Sequence, residues 1–252
     1  MGRGASGCRR SCGPALRSRT RALKRRHRGS ASWGTSCAGG PFEQACWLRG
    51  YAQFLTDLYV DPKFAHTLLE KIADLDIGFW DTYLGAIGDH VQVVAQGDDV
   101  GMQDREYISP ELCQRFIFPR HKRTYDFIHS KTRAKTFMHS CGSVRKLIPY
   151  FIEAGVDALN PVQYSAANMD LGELKQEFGS ELAFWGGGID TQHALLGKGV
   201  TAASVQATTA RNMAILMKNG VFVFAATHNI QHEVLPETTL LVYDTAVRQR
   251  AY

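Results

Sequence analysis

Residues 134–142 read Ala-Lys-Thr-Phe-Met-His-Ser-Cys-Gly, a short strand-type run from Ala134 to Met138 that delivers His139-Ser140-Cys141-Gly142 at its carboxyl end. The same arrangement recurs on both sides. Upstream, Ser109-Pro110-Glu111 supplies a capping hydroxyl followed by proline at the tolerated first helical position, opening a helix through Phe116 and Phe127 to about Ser130, with a bend at Pro119. Downstream, Leu147, Ile148, Phe151 and Ile152 give an amphipathic helix that Gly155 can terminate, and strand Ala158-Leu159 then runs into Asn160-Pro161-Val162-Gln163. A helix around Leu171 to Phe178 and a strand Leu182 to Trp185 lead into Gly186-Gly187-Gly188-Ile189-Asp190. A helix near Ala202 to Lys218, a strand Val221 to Ala225, the segment Thr227-His228-Asn229-Ile230-Gln231-His232 and a helix after Pro236 complete the series.

Toward the N-terminus, a strand near His90 to Gln96 ends in Gly97-Asp98-Asp99, and Asp61-Pro62 starts the helix that runs toward Gly88. Before it, Phe42, Trp47, Leu48, Tyr51, Phe54, Leu55 and Leu58 recur at helical spacing, mostly on one face. Five strand-then-helix units imply parallel strands, with polar and glycine-rich residues gathered after their carboxyl ends. In a barrel or a doubly wound sheet that edge binds ligands. A closed barrel has eight units in roughly 250 residues, so either the sheet is open or the opening units are missing.

The chain has 252 residues, 44% of them hydrophobic and 21% charged, which is ordinary for one globular core with a tail. Its net charge of +5 is unevenly spread: residues 1–40 hold ten Arg or Lys and no acid, leaving −5 on residues 41–252. The folded part therefore has no general basic surface for nucleic acid, and the run Arg21 to Arg28 has no interleaved aromatics for base stacking. Residues 1–40 are rich in Arg, Ser, Gly and Cys without sustained periodicity, and are expected to be a disordered tail: a transit-type leader or, in preference, a wrongly translated stretch. No apolar run approaches the roughly 18 residues of a membrane span and no secretory h-region is present, so a cytoplasmic protein is expected. Six irregularly spaced cysteines suit reduced thiols rather than a disulfide framework.

Immediately after a strand, His139 and Cys141 can point to the same side, offering one nitrogen and one sulfur donor of the kind zinc accepts. Taken alone, such a pair is more often a buried thiol beside a hydrogen-bonding histidine. A third ligand must come from another strand end, where His228 is preferred and His232 is expected to be solvated or supporting. Adjacent Asp98 and Asp99 cannot both face the mouth with ease; Asp99 could hold substrate, orient a ligand histidine or exchange protons, or simply cap a loop. Asn160 and Gln163 could orient a substrate amide or carboxyl, and Asp190 could line the site or cap the next helix. The triple glycine has neither dinucleotide nor P-loop spacing and reads as close backbone approach, and no Gly-x-Ser-x-Gly elbow supports acyl transfer.

Four segments, His139–Gly142, Asn160–Gln163, Phe184–Asp190 and Phe222–Gln231, resemble in order the uroporphyrinogen decarboxylase-like superfamily, over roughly residues 42–248. The resemblance implies a TIM-type (β/α)8 barrel, here incomplete, with residues 41–252 as the partial barrel domain. It also implies a small-molecule substrate. In the family's zinc-dependent methyltransferases a histidine and cysteine spaced as His139 and Cys141 bind zinc with a later cysteine, and a methyl group passes from a corrinoid, carried by a partner protein, to a thiol or folate-type acceptor. No cysteine follows Cys141, and His228 lies where that ligand is expected. The implied catalytic residues are Asp99 and His228, the substrate contacts Asp98, Asn160, Gln163, Asp190 and Asn229, and the metal set His139, Cys141 and His228. The alternatives are the family's porphyrin-pathway decarboxylase, whose N-terminal arginine and aspartate motifs are not found here, and an inactive member lacking the barrel start.

Overall fold

The computed structural model describes residues 33–218 and 220–249. Six parallel strands, β1 (Trp33–Gly39), β2 (Val93–Gly97), β3 (Lys135–His139), β4 (Ala158–Asn160), β5 (Ala183–Trp185) and β6 (Phe222–Val223), form one sheet in sequential order. A doubly wound sheet reverses strand order at a switch point, whereas a barrel adds each strand beside the last. The unbroken order is that of a TIM-type barrel, with six strands among the described residues. Each of the five expected strands is present with its bounds moved by one to three residues: β2 and β3 begin and end later, β4 gains Asn160, and β5 and β6 are shorter.

The sixth corrects the sequence reading. Trp33–Gly39, expected within a disordered tail, pairs with β2 in parallel through Trp33–Val93, Gly34–Val94 and Thr35–Ala95. Residues 1–32, the rest of that expected tail, lie outside the described residues. The run Trp-Gly-Thr-Ser-Cys-Ala-Gly has too little alternation and too much glycine to announce a strand; pairing with β2 supplies what local propensity does not.

After β1 come α1 (Pro41–Arg49), α2 (Tyr51–Val60) and α3 (Pro62–Ile87). The helical periodicity from Phe42 to Leu58 therefore belongs to two helices, broken at Gly50 with φ +86° and ψ 137°, a conformation that suits glycine. The break leaves Trp47, Leu48 and Tyr51 exposed while Phe54 and Leu58 remain buried. Asp61 caps α3 as its sequence suggests, accepting from Phe64 N–H at 3.0 Å. Between β2 and β3, the helix opened by Pro110–Leu112 widens into a π-turn at Cys113–Ile117 before continuing as α4 (Phe118–Lys131). That wider turn, Phe118 N–H bonding to Cys113 C=O, stands just before Pro119, which cannot donate to the ladder. Then follow α5 (Ile148–Ala154), α6 (Leu171–Phe178), α7 (Ala202–Leu216) and α8 (Pro236–Gln249).

Strand alternation divides the core. Val94, Met138, Leu159 and Phe184 point to the helices, inside the large apolar cluster. Their neighbours Ala95, Phe137, Ala158, Ala183 and Trp185 form a smaller cluster on the opposite, inner face. His139 and Asn160 continue that inner face at period two, so strand geometry itself aims them into the mouth. Phe184 is fully buried; Phe184→Ala should cost about 3–5 kcal/mol, measured as a fall in the urea midpoint.

Candidate metal centre at the strand ends

Gly97 pairs with His139 and His139 with Asn160, so the ends of β2, β3 and β4 stand in one row. His228, beyond β6, is three strands from β3. In a flat sheet, spacings of about 4.8 Å would separate those strands by about 14 Å. Instead the His139 and His228 rings lie 5.7 Å apart, centre to centre. The sheet is curved, and its curvature closes the site.

Ligand atoms of His139, Cys141 and His228 all lie within 4.8 Å of one another. Cys141 Sγ is 3.3 Å from His139 Nε2. Tetrahedral zinc with Zn–N near 2.1 Å and Zn–S near 2.3 Å places its donors about 3.6 Å apart, so this set fits such an ion with small side-chain shifts.

The histidine's tautomer follows from Asn160. Its Nδ2 donates to the Trp185 carbonyl at 2.7 Å, which turns Oδ1 toward His139 Nδ1 at 2.6 Å. His139 therefore carries its proton on Nδ1 and presents the Nε2 lone pair to Cys141, the orientation a metal ligand needs. Burial first, then the Asp99 carboxylate, pushes the Cys141 thiol up to about 12. Without a cation it stays protonated and donates to His139; a bound cation favours the thiolate.

Of the paired aspartates, only Asp99 faces this centre. Its Oδ1 accepts from Cys141 N–H at 2.7 Å and lies 3.9 Å from His139 Nε2. Asp98 is fully buried and holds the fold instead: it accepts from Phe42 N–H at 3.0 Å, Glu43 N–H at 2.8 Å and His121 Nε2 at 2.8 Å. It has no surface left for a substrate. Gln163 likewise braces the loop, taking Gly142 N–H at 2.9 Å and donating to Gln103 at 2.9 Å. Asp190 caps the turn at His193–Leu196 through Gln192 N–H and His193 N–H, and borders a different cavity with Tyr164 and Arg211. Gly186 gives the close approach its sequence suggests, since a Cβ there would lie 2.1 Å from the Pro161 carbonyl oxygen. His232 is solvent-exposed, 3.3 Å from Glu233.

A cavity of about 610 Å³ opens beside the centre, lined by His139, Asn160, Thr227, His228 and Asn229 and closed from α8 by Thr239 and Tyr243. The sequence reading missed this α8 wall. Glu43, the third residue of α1, is half-buried, with its carboxyl group beside Gly39 at the end of β1. Glu43 falls in the helical run expected from Phe42, and with residues 1–40 expected to be a tail, nothing marked that run as following a strand end.

The uroporphyrinogen decarboxylase (URO-D) family model matches residues 20–248. The chain belongs to the URO-D family. The match begins at residue 20, inside the segment expected to be a tail. The chain is 25% identical over 128 residues to a methylated-thiol–coenzyme M methyltransferase of Methanosarcina mazei, a stretch covering 49% of this chain and 32% of that protein. It thus spans about a third of that curated relative's length. A solved methyltransferase structure from Methanosarcina mazei superposes with a TM-score of 0.71 at 16% identity, covering 94% of this chain and 64% of the other, a likeness of fold. Among the described residues no helix is long and apolar enough to cross a membrane.

Burial raises Glu43 to about 7, with Asp98 adding to the effect, and burial raises Asp76 to about 6. Both carboxyls hold protons in the folded chain that they have lost in the unfolded one, so stability falls as pH rises from about 4 to about 7. A lower urea midpoint near pH 8 than near pH 5.5 is expected, and Glu43→Gln should shrink that difference.

Proposed function

We propose that this URO-D family member is a zinc-dependent methyltransferase that moves a methyl group from a corrinoid, presented by a partner protein, to a small thiol or folate-type acceptor. The observation that carries the reading is the convergence of His139, Cys141 and His228 within 4.8 Å from the ends of β3 and β6. The methyltransferase relative found by sequence supports the same branch of the family over its decarboxylase branch.

When bound, zinc would supply a Lewis acid that lowers the pKa of an acceptor thiol, giving the nucleophile for the methyl carbon. The chain's own residues prepare that event. Asn160 fixes the His139 tautomer, and Asp99 holds Cys141 through its main-chain N–H. The inner-face cluster of Phe137, Ala158 and Trp185 closes the floor beneath the centre and excludes water from below. The cavity beside His228 gives the acceptor its place. In the transfer itself the new S–C bond forms as the donor–carbon bond breaks, its electron pair remaining with the donor.

The protein purified from zinc-supplemented cells should hold about one zinc per chain by atomic emission. His139→Ala, Cys141→Ala and His228→Ala should each lose most of it, and Asn160→Ala should weaken binding about 10–100-fold by freeing the imidazole. Full zinc retention in the ligand variants would defeat the proposal, and chelator-insensitive turnover of uroporphyrinogen would replace it with decarboxylation.

A further inference from the structure

The cavity of about 610 Å³ shares His139 and His228 with the candidate metal centre, so an acceptor whose sulfur reaches the metal must lodge the rest of its body there. Its other polar side chains are amides and hydroxyls: Asn160, Thr227, Asn229, Thr239 and Tyr243. Asn160 is already bonded to His139 and to the Trp185 carbonyl, and Thr227 is buried. Asn229, Thr239 and Tyr243 are at least partly open to solvent and are left to meet a ligand. No Lys or Arg stands among the described residues that line the cavity.

The formal charge beside the cavity is negative. Asp99 Oδ1 lies 3.9 Å from His139 Nε2, the ring nitrogen free for a metal, and Cys141 Sγ lies 3.3 Å from the same atom. A zinc ion held by one thiolate and two neutral imidazoles keeps a single positive charge, which the acceptor's own thiolate cancels. Asp99 then leaves the surroundings negative. A second anionic group on the acceptor would give up its hydration and settle beside a carboxylate with no counter-ion, whereas an uncharged hydroxyl or amide would find hydrogen-bonding partners in Asn229, Thr239 and Tyr243.

We propose that the acceptor of this centre is a thiol whose remaining polar groups are uncharged, rather than an anionic thiol or an anionic folate-type molecule. The inference rests on the methyltransferase reading.

The test titrates the cobalt-substituted full-length protein with 2-mercaptoethanol and with 2-mercaptoethanesulfonate, thiols that share a two-carbon body and differ in charge. Binding is followed by the sulfur-to-metal absorption at constant ionic strength, with each concentration expressed as thiolate. The wild type should bind the neutral thiol at least about tenfold more tightly. Asp99→Asn keeps an oxygen for Cys141 N–H while removing the charge, and should narrow that ratio by about threefold or more. Thr239→Lys, at a half-buried position in the cavity wall, should bring an ammonium to the sulfonate and narrow the ratio further or reverse it. Equal affinity of the wild type for the two thiols, a preference for the sulfonate, or a ratio that neither variant moves overturns the proposal. If neither thiol produces the absorption in the wild type, the zinc–thiol reading beneath it falls instead, so the two failures are distinct.

Discussion

Gly97, His139 and Asn160 occupy one row across three hydrogen-bonded parallel strands, and almost everything else about the centre depends on that register. Parallel strands carry all their carboxyl ends to one rim, and period-two alternation decides which side chains there face inward. A slip of one residue in β3 would send His139 toward the helices and Met138 into the mouth. The apolar packing of Val94, Met138, Leu159 and Phe184 against the helices therefore fixes the register and, through it, the chemistry.

The rim is tied together by side chains that bond across elements and to the backbone. Asp98, itself fully buried, joins α1, β2 and α4 through the N–H groups of Phe42 and Glu43 and through His121. A carboxylate so placed is sustainable because its oxygens accept several hydrogen bonds. Its neighbour Asp99, one residue on, turns the other way and reaches Cys141. Adjacent acids thus divide their work as extended backbone requires: one holds the strand ends in place, the other shapes the centre. Gln163 and Asp190 likewise brace loops, and the donor set stands on a braced rim. Such bracing keeps donor atoms near ligand geometry before any ion arrives, which lessens the reorganisation that binding would demand.

Helices α1 and α8 bring to this rim the two features farthest apart in the chain. α1 is held to the rim through Asp98, and α8 closes the cavity with Thr239 and Tyr243, the latter packed edge-on against Phe224. A centre read only from the strand ends would omit the α8 wall, although it bounds the cavity beside His228.

The sequence alone determined the five later strands to within a few residues at their ends, the caps at Asp61 and Ser109 and the stop at Gly155, and it put His139, Cys141 and His228 after strand ends. These rest on local rules of periodicity, turn chemistry and donor type, which a one-dimensional string records well. Only the tertiary structure decided that the sheet is curved in sequential order, since His139 and His228 converge across three strands. Only it found β1, whose glycine-rich residues are held by pairing rather than by propensity. The roles of Asp98, Gln163 and Asp190 were also beyond the string, because an acid or amide at a strand end looks the same whether its partner is a ligand or a backbone N–H. Which of the two it meets is set by how distant elements pack.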